Sequence, residues 1–121
     1  MARILLVDDD PDQLQTRRLI LEAEGHTVHS AGNQPQALAA FRQVRPDAMV
    51  MDLRLPLVED GRTLIREVRR LSASVPIIVL SGLAADLAPW PEARMATRVL
   101  QKPFRPEDLL GLLSGIAAAR P

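Results

Sequence analysis

Ile4-Leu5-Leu6-Val7-Asp8-Asp9-Asp10 decides the fold. Four large aliphatic residues run without a polar interruption and end in three acids. Strands that alternate apolar and polar residues have one wet face. An unbroken apolar run belongs to a strand buried on both faces, and such strands occur in parallel sheets covered by helices. Two further runs have the same form: Ala48-Met49-Val50-Met51 ends in Asp52, and Ile77-Ile78-Val79-Leu80 ends in Ser81-Gly82. A shorter one, Val99-Leu100-Gln101, ends in Lys102-Pro103-Phe104. In an open parallel sheet, ligands bind outside the carboxyl ends of the strands. Asp8, Asp9, Asp52, Ser81 and Lys102 are therefore expected along one edge.

Each of these residues also has an ordinary structural reading. Asp10 and Asn33 read as helix caps, Ser81-Gly82 as a turn, and a lone lysine as a surface cation. Lys102 is nevertheless unusual, because the other fourteen of the fifteen basic residues are arginine. Arginine is a planar fork, whereas lysine is a compact point charge suited to one anionic oxygen. The joint placement of all these residues after apolar runs favours a shared site.

Helical patterns lie between the strands. Asp10-Pro11-Asp12-Gln13 reads as N-cap, first-turn proline and capping-box partner. Leu14 and Leu21 form an inward stripe, and Gly25 is a stop. His26–Ala31 alternates weakly and is expected to be the second strand, nearer an edge. Asn33 caps a second helix with Ala37, Leu38 and Phe41 on one face. Asp60 is expected to begin a third, with Leu64, Ile65, Val68 and Leu71 facing in. Pro106 opens the last, where Leu109, Leu110, Leu112, Leu113 and Ile116 form a broad apolar face. The expected fold is α/β: a doubly wound (βα)5 unit with a five-stranded parallel sheet in the order 2-1-3-4-5. Its fourth helix is irregular, because Pro89 and Pro91 flank Trp90 and each proline in a helix interior costs about 3 kcal/mol. Trp90 reads either as a lid over the sheet edge or as an exposed anchor for a partner.

Composition sets outer bounds. A length of 121 residues suits one domain with a sizeable core, and 47% hydrophobic with 2% aromatic content requires that core to be aliphatic. The formal net charge is zero and no basic stripe is present, which gives no support for nucleic acid binding. There is no cysteine, and no run approaches the roughly 20 apolar residues of a membrane span. The chain enters a strand at once, leaving no evident leader. We expect a cytoplasmic protein without direct membrane contact.

The chemistry follows from the acids. At ~4 Å and an effective dielectric near 20, each like-charged pair costs about 4 kcal/mol. Such a cluster is partly protonated or holds a cation, and hard oxygens suit Mg²⁺. A carboxylate beside Mg²⁺, a lysine and a hydroxyl can attack a phosphoryl group and hold it as an acyl phosphate.

Together the motifs resemble the receiver domain of two-component response regulators. The matching pieces are Ile4–Asp10, Met51-Asp52-Leu53-Arg54-Leu55-Pro56, Asp60-Gly61, Val79-Leu80-Ser81-Gly82 and Lys102-Pro103-Phe104, in family order and spacing. The resemblance implies Asp52 as phosphoacceptor, Ser81 as switch hydroxyl and Lys102 as phosphoryl contact. It also implies a metal set of Asp8, Asp9, Asp52 and the Arg54 backbone carbonyl for Mg²⁺, or Mn²⁺, and a cis Lys102–Pro103 bond. The implied partners are a histidine kinase or histidine phosphotransfer protein and a downstream protein. The unit is expected to span residues 1–121, with no output domain in this chain.

Three features depart from the family pattern. The stretch from Pro56 to Gly61 is one residue longer than usual. Val99 stands where an aromatic switch residue is common. The fourth helix is compromised. Arg54 and Leu83, two positions beyond Asp52 and Ser81, are expected to flank the path of attacking water and to slow loss of the phosphoryl group. Two alternatives stay open. One is a pseudo-receiver acting as a phosphate-independent binding module. The other is a phosphatase like the haloacid dehalogenases, using Asp8 and Asp10.

Overall fold

A computed structural model describes residues 2–119, so the expected ends at Met1, Arg120 and Pro121 lie outside the described residues. Strands and helices alternate as β1 (Arg3–Val7), α1 (Pro11–Ala23), β2 (Thr27–Ala31), α2 (Gln34–Val44), β3 (Ala48–Asp52), α3 (Val58–Leu71), β4 (Ile77–Ser81), β5 (Arg98–Gln101) and α4 (Pro106–Ala119). All strand pairings are parallel, in the order β2-β1-β3-β4-β5. The weakly alternating β2 lies at an edge, where one side needs no partner strand.

The pleat divides the apolar runs between two cores, because successive strand residues point to opposite faces. Leu5, Val7, Met49, Met51, Ile77 and Val79 pack on one face with Phe41 of α2 and Leu64, Ile65 and Val68 of α3. Ile4, Leu6, Val50, Ile78 and Leu80 pack on the other with Leu21 of α1 and Leu109 and Leu113 of α4. Residues 4–7, 49–51 and 77–80 are all fully buried, which is why these runs contain no polar alternation.

Helix starts follow local hydrogen bonding. Asp10 caps α1 by accepting from the backbone N–H of Asp12 (2.9 Å) and Gln13 (3.4 Å). The expected return bond from Gln13 is replaced: the Asp10 N–H donates to Asp8 Oδ1 at 2.9 Å. Asn33 caps α2 by accepting from the Gln36 N–H. Helix α3 begins at Val58, not at Asp60. Asp60 lies inside the first turn and reaches back to accept from the Leu57 N–H at 3.0 Å, so its carboxylate acts from within the helix. Leu71, expected to face in, is 45% exposed. It is the last residue of α3 and lines an open cleft with Phe41, Arg42 and Val75.

Between β4 and β5 the two prolines exclude a regular helix. Two short 3-10 turns remain, Ala84–Asp86 and Pro91–Arg94. Charge holds this segment to α3. Glu92, 3% exposed, accepts from Arg62 Nε at 2.8 Å and Arg66 Nη1 at 3.2 Å. The Arg62 guanidinium lies 3.7 Å from the centroid of the Trp90 ring. Trp90 is thus a half-exposed ring with one face covered by a cation, and not a lid over the sheet edge. Burial pushes the Glu92 carboxyl up, but its hydrogen bonds to Arg62 and Arg66 outweigh this and hold it below the usual carboxylate range.

The first prediction concerns this clamp. A depressed carboxyl pKa contributes stability that is present above the ordinary value near 4.5 and is lost as pH falls through the folded value. Glu92→Gln should cost about 2 kcal/mol at neutral pH, the scale of hydrogen bonds to a charged group. The deficit should shrink in acid as the parent's own Glu92 is protonated. Urea unfolding at neutral and acidic pH measures both, and equal midpoints at neutral pH would contradict the clamp.

The second concerns Gly61. A Cβ built there would lie 1.9 Å from the Leu53 carbonyl oxygen, so glycine is what lets α3 approach the chain leaving β3. Gly61→Ala should destabilise by about 3 kcal/mol or more, at or beyond the upper end for overpacking. Gly111→Ala, with no atom within 4 Å of its added Cβ, should stabilise α4 by about 0.5–1 kcal/mol. Chemical denaturation of both variants decides the matter.

Candidate functional site

The strand register brings the expected residues to one edge. Val7 of β1 pairs with Met51 of β3, and Asp52 pairs with Leu80 of β4. Asp8 and Asp52 therefore leave neighbouring strands at the same level. Ser81 pairs with Gln101 of β5, and the Lys102 N–H donates to the Ser81 carbonyl at 2.8 Å. Carboxylate oxygens of Asp8, Asp9 and Asp52 lie within 4.8 Å of one another. Lys102 Nζ donates to Asp52 Oδ1 at 2.6 Å. The Lys102–Pro103 bond is cis, as is Leu55–Pro56.

The three acids differ in their surroundings. Asp8 is 1% exposed and Asp52 is 9% exposed, whereas Asp9 is exposed. Beside Lys102, which the sequence places with the acids, the structure adds a second cation. Arg17 of α1, itself buried, forms an ion pair with Asp8 Oδ2. Its guanidinium also lies 5.6 Å from the centroid of the Phe104 ring. Arg17 was missed because helical spacing alone reads an Arg17-Arg18 pair as a solvated face. The available signal was its position four residues before Leu21 on the inward stripe.

A small cleft of about 150 Å³ opens beside Asp52, lined by Arg54, Ser81, Leu83, Asp86 and Lys102 among others. Ser81 is 2% exposed. Its hydroxyl donates to the Leu83 carbonyl at 2.8 Å and accepts from the Leu83 N–H at 3.3 Å, closing a local turn. Leu83 is 58% exposed. The Arg54 side chain, expected over the phosphoryl position, is instead tied to Asp86, with Nη2 and Nε donating to Oδ2 at 2.9 and 3.2 Å. That partner was not foreseen, since it comes from the irregular crossover. Val99 has no ring and is 45% exposed.

The donor set fits a hard divalent cation. It consists of carboxylate oxygens alone, gathered at one point, with one member open to water. No helix among the described residues is long and apolar enough to cross a membrane.

Comparison with known proteins agrees with this arrangement. The family model described as the response regulator receiver domain matches residues 4–114. Protein PilH of Pseudomonas aeruginosa is 31% identical over 121 residues, covering 98% of this chain and 99% of PilH. The DNA-binding response regulator MtrA of Mycolicibacterium smegmatis is 36% identical over 110 residues. That match covers 89% of this chain and 47% of MtrA, so the chain spans about half the length of that relative. Among solved structures, the chemotaxis response regulator CheY4 of Vibrio cholerae has a TM-score of 0.85 at 32% identity, covering 96% of this chain and 98% of CheY4. The response regulator TrrA of Thermotoga maritima, in complex with Mg²⁺ and BeF, has a TM-score of 0.87 at 25% identity, covering 96% and 99%. Sequence motifs, sheet order and these matches agree: the chain belongs to the response regulator receiver domain family of two-component systems.

Proposed function

We propose that this receiver accepts a phosphoryl group on Asp52 from a phosphohistidine of a histidine kinase or histidine phosphotransfer protein. The observation that carries the reading is the Lys102–Asp52 contact of 2.6 Å beside the Asp8–Asp9–Asp52 cluster. An Asp52 oxygen attacks phosphorus and forms the O–P bond. The P–N bond of the donor breaks, and its electron pair stays on the imidazole nitrogen. Asp9, Asp52 and the Arg54 backbone carbonyl would hold Mg²⁺ (or Mn²⁺), with Asp8 orienting the ion. When bound, the ion offsets charge on the phosphoryl oxygens. Lys102 exchanges its Asp52 oxygen for a phosphoryl oxygen. The Ser81 hydroxyl turns from the Leu83 carbonyl to another, drawing on the crossover that Glu92 clamps to α3.

The receiver, matched over residues 4–114, catalyses its own phosphorylation and dephosphorylation and passes the signal to a downstream protein. Asp9, Asp52 and Lys102 are all present, which supports phosphate-dependent signalling over a pseudo-receiver. Asp10, which a dehalogenase-like reaction would need, is engaged in capping α1.

With Mg²⁺ and acetyl phosphate the chain should gain one phosphoryl group, seen by intact mass and removed by hydroxylamine. Asp52→Asn should gain none, and Asp9→Ala should gain it slowly for want of metal. Labelling of Asp52→Asn at the parent's rate would overturn the assignment.

The Arg54–Asp86 pair bears on lifetime. Both residues line the cleft beside Asp52, and neither Arg54 nor Leu83 can act as a general base at neutral pH. Arg54→Ala and Asp86→Ala should each speed decay of the phosphorylated state several-fold, by opening the approach to water. The measurement is loss of the phosphoryl group in Mg²⁺ after donor removal. Decay at the parent's rate in both variants would show that the pair does not guard the site.

A further inference from the structure

Arg17 is a buried cation placed against a buried acid that the phosphorylation reading uses. It is 8% exposed, and Asp8 is 1% exposed. Both oxygens of Asp8 are engaged: Oδ1 accepts from the Asp10 N–H and Oδ2 from Arg17. The other face of the guanidinium has an aromatic neighbour in Phe104, two residues after Lys102. Arg17 therefore spans from the acidic cluster to the loop that carries the lysine. Three carboxylates face two cations, Arg17 and Lys102. One net negative charge remains, and Asp9 makes no ion pair among the described residues.

We propose that Arg17 is a built-in counter-ion of the acidic site. It is a positioning residue that fixes Asp8 and keeps the metal-free site close to neutral, thereby lowering Mg²⁺ affinity until a phosphoryl group adds negative charge. The proposal rests on the reading that the site binds Mg²⁺. Two consequences follow from electrostatics. Without Arg17, Asp8 is a buried charge with no cation beside it, which destabilises the metal-free fold. A divalent ion then meets one more uncompensated negative charge and binds more tightly.

The test compares the full chain with Arg17→Met and Arg17→Lys, by calorimetric Mg²⁺ titration and by melting in chelator, in mildly alkaline buffer. Arg17→Met should melt below the parent without metal and bind Mg²⁺ roughly tenfold more tightly, the effect of one unit charge on a divalent ion at ~6 Å in water. Its melting temperature should rise more on adding Mg²⁺ than the parent's does, by mass action. Arg17→Lys keeps the charge and should keep the parent's Mg²⁺ affinity, while losing some stability with the contact to Phe104. An Arg17→Met variant that folds only when Mg²⁺ is added is the extreme form of the expected result. Equal or weaker Mg²⁺ binding by Arg17→Met, or failure to fold even in saturating Mg²⁺, would overturn the proposal and leave Arg17 as scaffold only. A parent that binds no Mg²⁺ would instead refute the underlying reading of the site.

Discussion

Three carboxylates gathered within 4.8 Å at the end of a parallel sheet set the terms for the rest of the molecule. Parallel register alone brings Asp8 and Asp52 to the same level, and the sequence then deals with each acid differently. Asp52 has Lys102 from just after β5, and Asp8 has Arg17 from α1. Asp9 is left to solvent. The two buried acids are those with a cation, and the exposed one has none, as the cost of burying an unpaired charge requires. The site's charge is thus set by elements on both sides of the sheet centre, so folding and site formation are one event.

The crossover between β4 and β5 shows a second use of charge. Pro89 and Pro91 remove the regular helix that would bury an apolar stripe there. Leu87 still enters the core, with Ala93, Met95 and Ala96 packed against it, and a buried Glu92 with two α3 arginines adds charged anchors. Hydrogen-bonded ion pairs are directional, whereas hydrophobic burial is not. The segment after Ser81 is therefore held by directional contacts as well as by apolar burial. The charged contacts are Arg54–Asp86, beside the cleft, and Arg62–Glu92 with Arg66–Glu92 further along.

Strands and site were readable in the sequence for the same reason: full burial on both faces leaves a continuous apolar run, and the first polar residue after it lies at the functional edge. Asp8, Asp9, Asp52, Ser81 and Lys102 all come to that edge. What was not readable depended on contacts between distant elements. Arg17–Asp8, Arg54–Asp86 and Glu92 with Arg62 and Arg66 join residues from different secondary structures, and nothing local marks a surface-type residue as buried. Helix α3 was placed two residues late, because an acid at the third helical position and an acid before the helix give the same local pattern. Leu71 has the right spacing for the core, but it ends α3 and no following turn covers it.

The arginine bias of the chain also gains a physical reason. An aliphatic core with very few aromatic rings has little means of fixing loops, since rings supply both area and polar handles. Arginine's planar fork fills that place. Arg69 donates to the carbonyls of Met95, Ser72 and Val75, tying the end of α3 to the chain entering β4 and to the crossover. Arg62 divides its guanidinium between Glu92 and the face of Trp90, and Arg17 divides its own between Asp8 and Phe104. Each of these sites uses more than one direction of the fork, which a lysine cannot match. At Asp52 the requirement is the reverse. A single carboxylate oxygen is contacted there, from one direction, by a point charge on a flexible stem. The one contact of this kind is made by the one lysine of the chain.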